Sequence, residues 1–79
     1  MRLDKPNSTT YRIFDFIVSY KRRHDGVSPT IEEIGDAVNL AKSSAYYHLL
    51  MLRDIEKIRF TPGQSRSIEV IGGEWRIET

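Results

Sequence analysis

Seventy-nine residues, 39% of them apolar and 29% charged, allow one soluble globular domain and no second one. With no cysteine the chain excludes disulfides and thiolate metal sites, and with no apolar run near the roughly 20 residues of a membrane span it excludes a transmembrane helix. The start, Met1–Pro6, lacks the pattern of a signal peptide, so the expected location is the cytoplasm. A net charge of only +1 gives no general pull toward nucleic acid. The charge is unevenly placed, however. Between Ala37 and Arg66 there are five basic residues (Lys42, Arg53, Lys57, Arg59, Arg66) and two acidic ones (Asp54, Glu56), while Glu32, Glu33 and Asp36 lie just before that segment.

In chain order, residues 1–8 read as a flexible arm ending in the capping residues Asn7 and Ser8, with Thr9 a third candidate cap. Ile13, Phe16, Ile17 and Tyr20, with Phe14 at the stripe's edge, recur at helical spacing and predict a first helix over 9–24. The run Lys21–His24 closes it, suited as a solvated cationic end to the negative pole of the helix dipole. Asp25-Gly26 breaks the helix, and Val27 is a candidate short strand before Pro29. Thr30 and Glu33 form a capping box for a second helix over 30–39, which buries Ile31, Ile34 and Val38 with Ala37 close by. Gly35 inside it implies close approach of a neighbouring helix. Asn39 suits the left-handed residue that ends it.

Ser43 or Ser44 caps a third helix over 43–55, with Ala45, His48, Leu49, Leu52 and Ile55 on its inner face. Ser43, Tyr47, Leu50 and Asp54 fall opposite, flanked by Ser44, Tyr46, Met51 and Arg53. The pattern then alternates. Lys57–Thr61 and Ser67–Ile71 predict the strands of a hairpin over 57–71, turning at Pro62–Ser65 with Arg66 near the tip. Residues 72–79 form a tail, with Trp75 as a lid on the core and Trp75–Ile77 as a candidate third strand. Three helices followed by a β-hairpin wing give an α+β, winged helix-turn-helix architecture spanning 1–79 as one domain.

The run Ser28-Pro29-Thr30-Ile31-Glu32-Glu33-Ile34-Gly35 resembles the P-P-[ST]-x-x-E-I-[GA] motif of the LexA repressor N-terminal DNA-binding domain family. His48-Leu49 followed by Leu52 resembles that family's H-L-x-x-L, Ser65–Ile68 its R-x-I wing strand, and Ile13–Ile17 its first helix, so the likeness covers about residues 9–71. The chain departs from the family in a turn at Ala41-Lys42 that is one residue short and in Glu56, where the family usually has glycine. The family's self-cleaving protease domain has no counterpart here, and no Ser/Lys pair can be placed. The resemblance implies the DNA-binding domain alone, as a fragment of a longer repressor or as a stand-alone regulator.

What the resemblance implies for function is sequence-specific binding of double-stranded DNA by a transcriptional regulator, a repressor by type, with the third helix in the major groove and the wing on the backbone. Carried over residue by residue, the reading positions are Ser43, Ser44, Tyr46 and Tyr47. Lys42 and Arg53 are phosphate candidates, Gln64, Ser65 and Arg66 are wing contacts, and Thr30 offers its hydroxyl and helix-end N–H groups to a phosphate. A domain this small makes few phosphate contacts, so two copies on paired half-sites are expected. The other reading is a winged-helix module for protein contacts, through Leu50, Met51 and the tyrosines. His48 reads as a packed histidine rather than a ligand or base. No cofactor, metal, membrane or small-molecule substrate is expected, and no enzyme: Ser44 and His48 are one turn apart but lack a third partner.

Overall fold

The computed structural model describes residues 4–73 and Trp75. Helix α1 spans Ser8–Arg23, α2 Ile31–Val38 and α3 Lys42–Asp54, followed by strands β1 (Ile58–Arg59) and β2 (Glu69–Val70). Of the three candidate caps of α1, Asn7 does the work. Its side chain accepts from Thr10 N at 3.1 Å, and Thr10 Oγ1 accepts from Asn7 N at 3.1 Å, so Ser8 belongs to the helix and not to the arm. The buried stripe of α1 is Thr10, Ile13, Phe14, Ile17 and Lys21. Phe14 is therefore a core residue, and Phe16 and Tyr20, expected at the centre, lie half-buried on its flank.

Lys21 also departs from expectation. It is 5% exposed, donates to Gly26 O at 2.9 Å, and lies 5.9 Å from the centre of the Trp75 ring. Burial pushes its ammonium pKa below the ordinary value, against the opposing pull of Glu69. Trp75 packs against the core and over Gly26, and Arg22 Nε donates to its carbonyl at 3.0 Å. Trp75 lies in a turn; Arg76 and Ile77, the rest of the candidate third strand, lie outside the described residues.

The capping box of α2 forms as its sequence dictates, with Thr30 as N-cap outside the helix, Glu33 N donating to Thr30 Oγ1 at 3.1 Å and Thr30 N to Glu33 Oε1 at 2.8 Å. Ile34 is fully buried, Ile31 and Val38 pack partly against the core, and Ala37 is exposed. Asn39 takes the left-handed conformation at φ 59°, ψ 49° just past the helix. Gly35 is there for a reason other than a crossing helix. A Cβ on it would stand 2.6 Å from the carbonyl oxygen of Leu40, in the turn that follows its own helix, while Leu40 N donates back to Gly35 O at 2.8 Å.

Helix α3 packs against α1, α2 and β1. Because it is covered from more than one side, Met51 is buried at 2% exposure along with Ala45, Leu49 and Leu52, whereas Ile55, beyond its last turn, is 36% exposed. The helix closes through Glu56 N to Arg53 O and Lys57 N to Leu52 O, both 3.0 Å, with Glu56 at φ +60°. A Cβ residue there is strained by about 1–2 kcal/mol. Glycine would remove that strain and return about 0.5–1 kcal/mol of it as backbone entropy, so Glu56→Gly is expected to stabilise the domain by about 0.5–1 kcal/mol. The check is thermal denaturation, where the midpoint should rise by about 4 °C.

The wing is shorter as a sheet than the alternating pattern suggests. Only Ile58↔Val70 and Arg59↔Glu69 pair, antiparallel, with Ile71 N donating to Lys57 O at 3.1 Å. Residues 60–68 form a loop tied by side chains. Thr61-Pro62-Gly63-Gln64 make a turn closed by Gln64 N to Thr61 O at 3.0 Å, with Gly63 at φ +81°. The Ser67 hydroxyl accepts from Thr61 N at 2.9 Å. Val27 forms no strand and is 47% exposed. Its neighbour Ser28 takes that place with a side chain: the buried Ser28 Oγ accepts from Ile68 N at 3.1 Å. No helix among the described residues is long and apolar enough to cross a membrane.

Candidate nucleic-acid interface

The N-cap of α3 is Ala41, which has no side chain to offer, so Ser43 and Ser44 are not caps but first-turn residues. No acidic residue occupies that turn, and Lys42, Ser43 and Ser44 are all exposed. The first backbone N–H groups of a helix have no partner within it. Here no cap side chain takes them, and the positive end of the helix dipole faces outward.

At 100° per residue, three columns leave the buried face of α3. Lys42, Tyr46 and Arg53 form the column toward the wing. The Tyr46 ring meets Phe60 edge-on at 5.8 Å, the Arg53 guanidinium lies 5.3 Å from the centre of the same ring, and Lys42 Nζ pairs with Glu32 at 3.3 Å. Ser44, His48 and Met51 form the column toward α1. His48 is half-buried, with Nδ1 2.8 Å from Thr10 Oγ1, which links the recognition helix to the cap of α1. Between these columns Ser43, Tyr47, Leu50 and Asp54 point away from the body. With α3 beginning at Lys42, Ser43 and Tyr47 fall outermost, Tyr46 on the wing side and Ser44 on the α1 side.

Tyr47 is half-buried because the arm meets it. Its hydroxyl donates to Asp4 Oδ2 at 2.9 Å and accepts from Asp4 N at 3.1 Å. The spacing of Asp4 and Tyr47 gives no sequence signal for this contact.

Between α2, α3 and the wing runs a groove of about 360 Å³, with Ile31, Leu49 and Ile68 among its apolar lining and Lys42, Gln64 and Ser65 at its polar side. Gln64 and Ser65 are exposed on the wing loop. Thr30 is half-buried, its hydroxyl already accepting from Glu33 N. Arg66 stays exposed but is tied to the body: Nη1 donates to Ser28 O at 2.9 Å and reaches Tyr20 Oη and Glu33 Oε1 at 3.1 Å each. Tyr20, Glu33 and Phe60 are not among the site residues expected from the sequence, which places Tyr20 in the α1 stripe and Glu33 in the capping box. For Phe60 the alternation of Ile58 and Phe60 on one strand face carried a signal; for Tyr20 none existed.

Burial holds the His48 imidazole below its ordinary pKa of 6.5. Between the lowered folded value and 6.5 the unfolded chain binds more protons, so this contribution to stability is complete above 6.5 and is lost as pH falls through the folded pKa. Denaturant unfolding is expected to give a lower midpoint at about pH 5.5 than at about pH 7.5, and His48→Gln to flatten the difference.

Three helices, a tight α2–α3 turn, an exposed uncapped helix end and a wing beside it define a winged helix-turn-helix domain. Comparison with known proteins is in accord with that class. The chain belongs to the LexA DNA-binding domain family, whose pattern it matches over residues 8–67. It is 40% identical over 77 residues to the LexA repressor of Bacillus cytotoxicus, covering 96% of this chain and 36% of that protein. Against the LexA repressors of Bacillus thuringiensis (strain Al Hakam) and Bacillus anthracis it is 38% identical over 78 residues, covering 98% of this chain and 37% of theirs. The chain thus spans little more than a third of the length of these curated relatives.

Proposed function

We propose that this chain binds double-stranded DNA sequence-specifically as the DNA-binding unit of a transcriptional repressor, with α3 in the major groove and the wing along the backbone. The observation that carries this reading is the α3 N-terminus, which is exposed, uncapped and without an acidic residue, with Ser43 and Tyr47 projecting beside it. In this arrangement Ser43 and Tyr47 meet base edges or the phosphates nearest them, and Ser44 and the first-turn N–H groups hold a phosphate. Lys42 exchanges Glu32 for a phosphate, and Arg53 and Tyr46 act from the wing-side column. Gln64 and Ser65 contact the backbone from the wing, and Thr30 offers its helix-end position to the same strand. Arg66 serves by holding the wing. Two copies on paired half-sites supply the affinity that one small domain lacks.

A protein-docking role for the same face is less well supported, because Met51, one of the two apolar residues it needs, is buried. The test is selection from a randomised duplex pool at two salt concentrations, with the enriched molecules sequenced. A recurrent half-site and an affinity that falls steeply with salt are expected. Binding weaker than about 100 μM at low salt, where even nonspecific binders usually hold, overturns the proposal.

A further inference from the structure

Arg66 stands at φ +55° although it is not glycine, a conformation that persists where surrounding contacts over-determine it. Those contacts come from three separate places in the chain. The Nη1 donor reaches the Tyr20 hydroxyl on α1, the Ser28 carbonyl in the segment between α1 and α2, and the Glu33 carboxylate on α2. Glu33 is shared. Its Oε1 accepts from Thr30 N in the capping box, and its Oε2 accepts from the Tyr20 hydroxyl at 3.2 Å. Tyr20 is itself stacked on His24, with ring centres 4.0 Å apart. The capping hydrogen bond, with Tyr20 and Arg66 behind it, holds the Glu33 carboxyl below its ordinary pKa, so the carboxylate is charged at neutral pH.

The sheet cannot by itself fix where the wing loop lies. Its ladder is two residue pairs long, and the loop over 60–68 is otherwise held at its two ends, by Phe60 against Tyr46 and Arg53 of α3 and by Ile68 in the core, while its middle is tied to itself through Ser67 and the Gln64–Thr61 turn. The two links that run from the loop back to the segment before α2 both end on Ser28, at Ile68 N and at Arg66 Nη1.

We propose that Tyr20 and Glu33, which are outside the proposed set of DNA contacts, are positioning residues that act through Arg66 to hold the wing at a fixed distance from α3, and so set the length of DNA backbone the domain covers. This rests on the DNA-binding reading above. With the clamp made, the wing meets the strand already ordered. With it released, α3 still docks, but Gln64 and Ser65 must be ordered on binding.

The test uses the full chain as wild type, Tyr20→Phe and Glu33→Gln. Tyr20→Phe removes the hydroxyl that bridges Glu33 and Arg66, and Glu33→Gln keeps an acceptor for Thr30 N while removing the charge opposite Arg66. Amide hydrogen exchange is read without DNA. Affinity is read on the selected duplex and on the same duplex shortened on the side the wing covers. In both variants exchange at Gln64 and Ile68 is expected to speed up about tenfold while the amides within α3 keep wild-type rates. Affinity for the long duplex is expected to fall about three- to tenfold, and for the short duplex to stay within about twofold of wild type. Unchanged wing exchange, an undiminished affinity for the long duplex, or equal losses on both duplexes overturns the positioning role. Wild type that binds no duplex rejects the DNA-binding reading and the positioning role with it. Wild type that binds, with variants that bind as well, rejects the positioning role alone.

Discussion

Ser43→Asp is expected to move stability and DNA binding in opposite directions. The first turn of α3 has neither an acidic residue nor a capping side chain, so a carboxylate there meets unpartnered N–H groups and the positive end of the helix dipole. The fold should gain about 0.5 kcal/mol. The same carboxylate would stand where a phosphate is proposed to lie, and bringing like charges together in an interface costs several kcal/mol. Affinity for the selected duplex should fall about 30- to 100-fold, equivalent to about 2–2.7 kcal/mol. Thermal denaturation and a binding titration at one salt concentration check the two halves. Unchanged affinity would remove this helix end from the interface, and a loss of stability would mean that Ser43 packs rather than projects.

Gly35→Ala is the second large effect, and its sign runs against helix propensity. Alanine in a helix interior is worth about 1 kcal/mol over glycine. The added methyl, however, would lie 2.6 Å from the carbonyl oxygen of Leu40, which is backbone and has no rotamer to turn away. Forcing room in a packed site costs about 1–3 kcal/mol and can cost more, so a net loss of about 1–2 kcal/mol is expected. For a domain of this size that is a fall of roughly 4–16 °C in the unfolding midpoint. Because Leu40 begins the turn into α3, the strain should also tilt that helix, and DNA affinity should fall by more than the stability loss explains. A stabilised variant with normal binding would show that the turn yields at little cost.

Gly35 also shows what could be read before the structure. Its presence in a helix signalled a close approach, because only a steric reason offsets the propensity lost. Sequence spacing could not say that the close atom was its own turn and not another helix. The order of elements was legible because each carries a local cause: the Thr30/Glu33 box, Asn39 at the left-handed position, and the change of period after Glu56. Phe14, at the edge of its stripe, and Met51, off the main stripe of α3 but the one of Leu50 and Met51 that a neighbouring helix covers, are buried for a common reason. A single helical stripe assumes one buried face, whereas α1 and α3 are each covered from more than one side. At the interface, an outward column for Ser43 and Tyr47 could be drawn from periodicity alone. The tie of Arg66 to α1 and α2, the arm contact at Tyr47 and the contacts of the Phe60 ring with Tyr46 and Arg53 depend on long-range packing, which no local pattern encodes.

The Ser28 hydroxyl has a consequence for how copies of the domain behave in solution. A sheet edge with open N–H and C=O groups is a template on which another chain can add a strand, and longer ladders recruit more readily. Here the amide just before β2 is taken by a buried side chain, and the ladder ends after two residue pairs. The wing thus offers an incoming strand only a short run of ordered backbone. Removing that oxygen, as Ser28→Ala would, leaves the buried Ile68 N–H without its acceptor and loosens the start of β2. The hydroxyl thus ends the strand from within, where a ladder of two pairs alone would leave a loose backbone end.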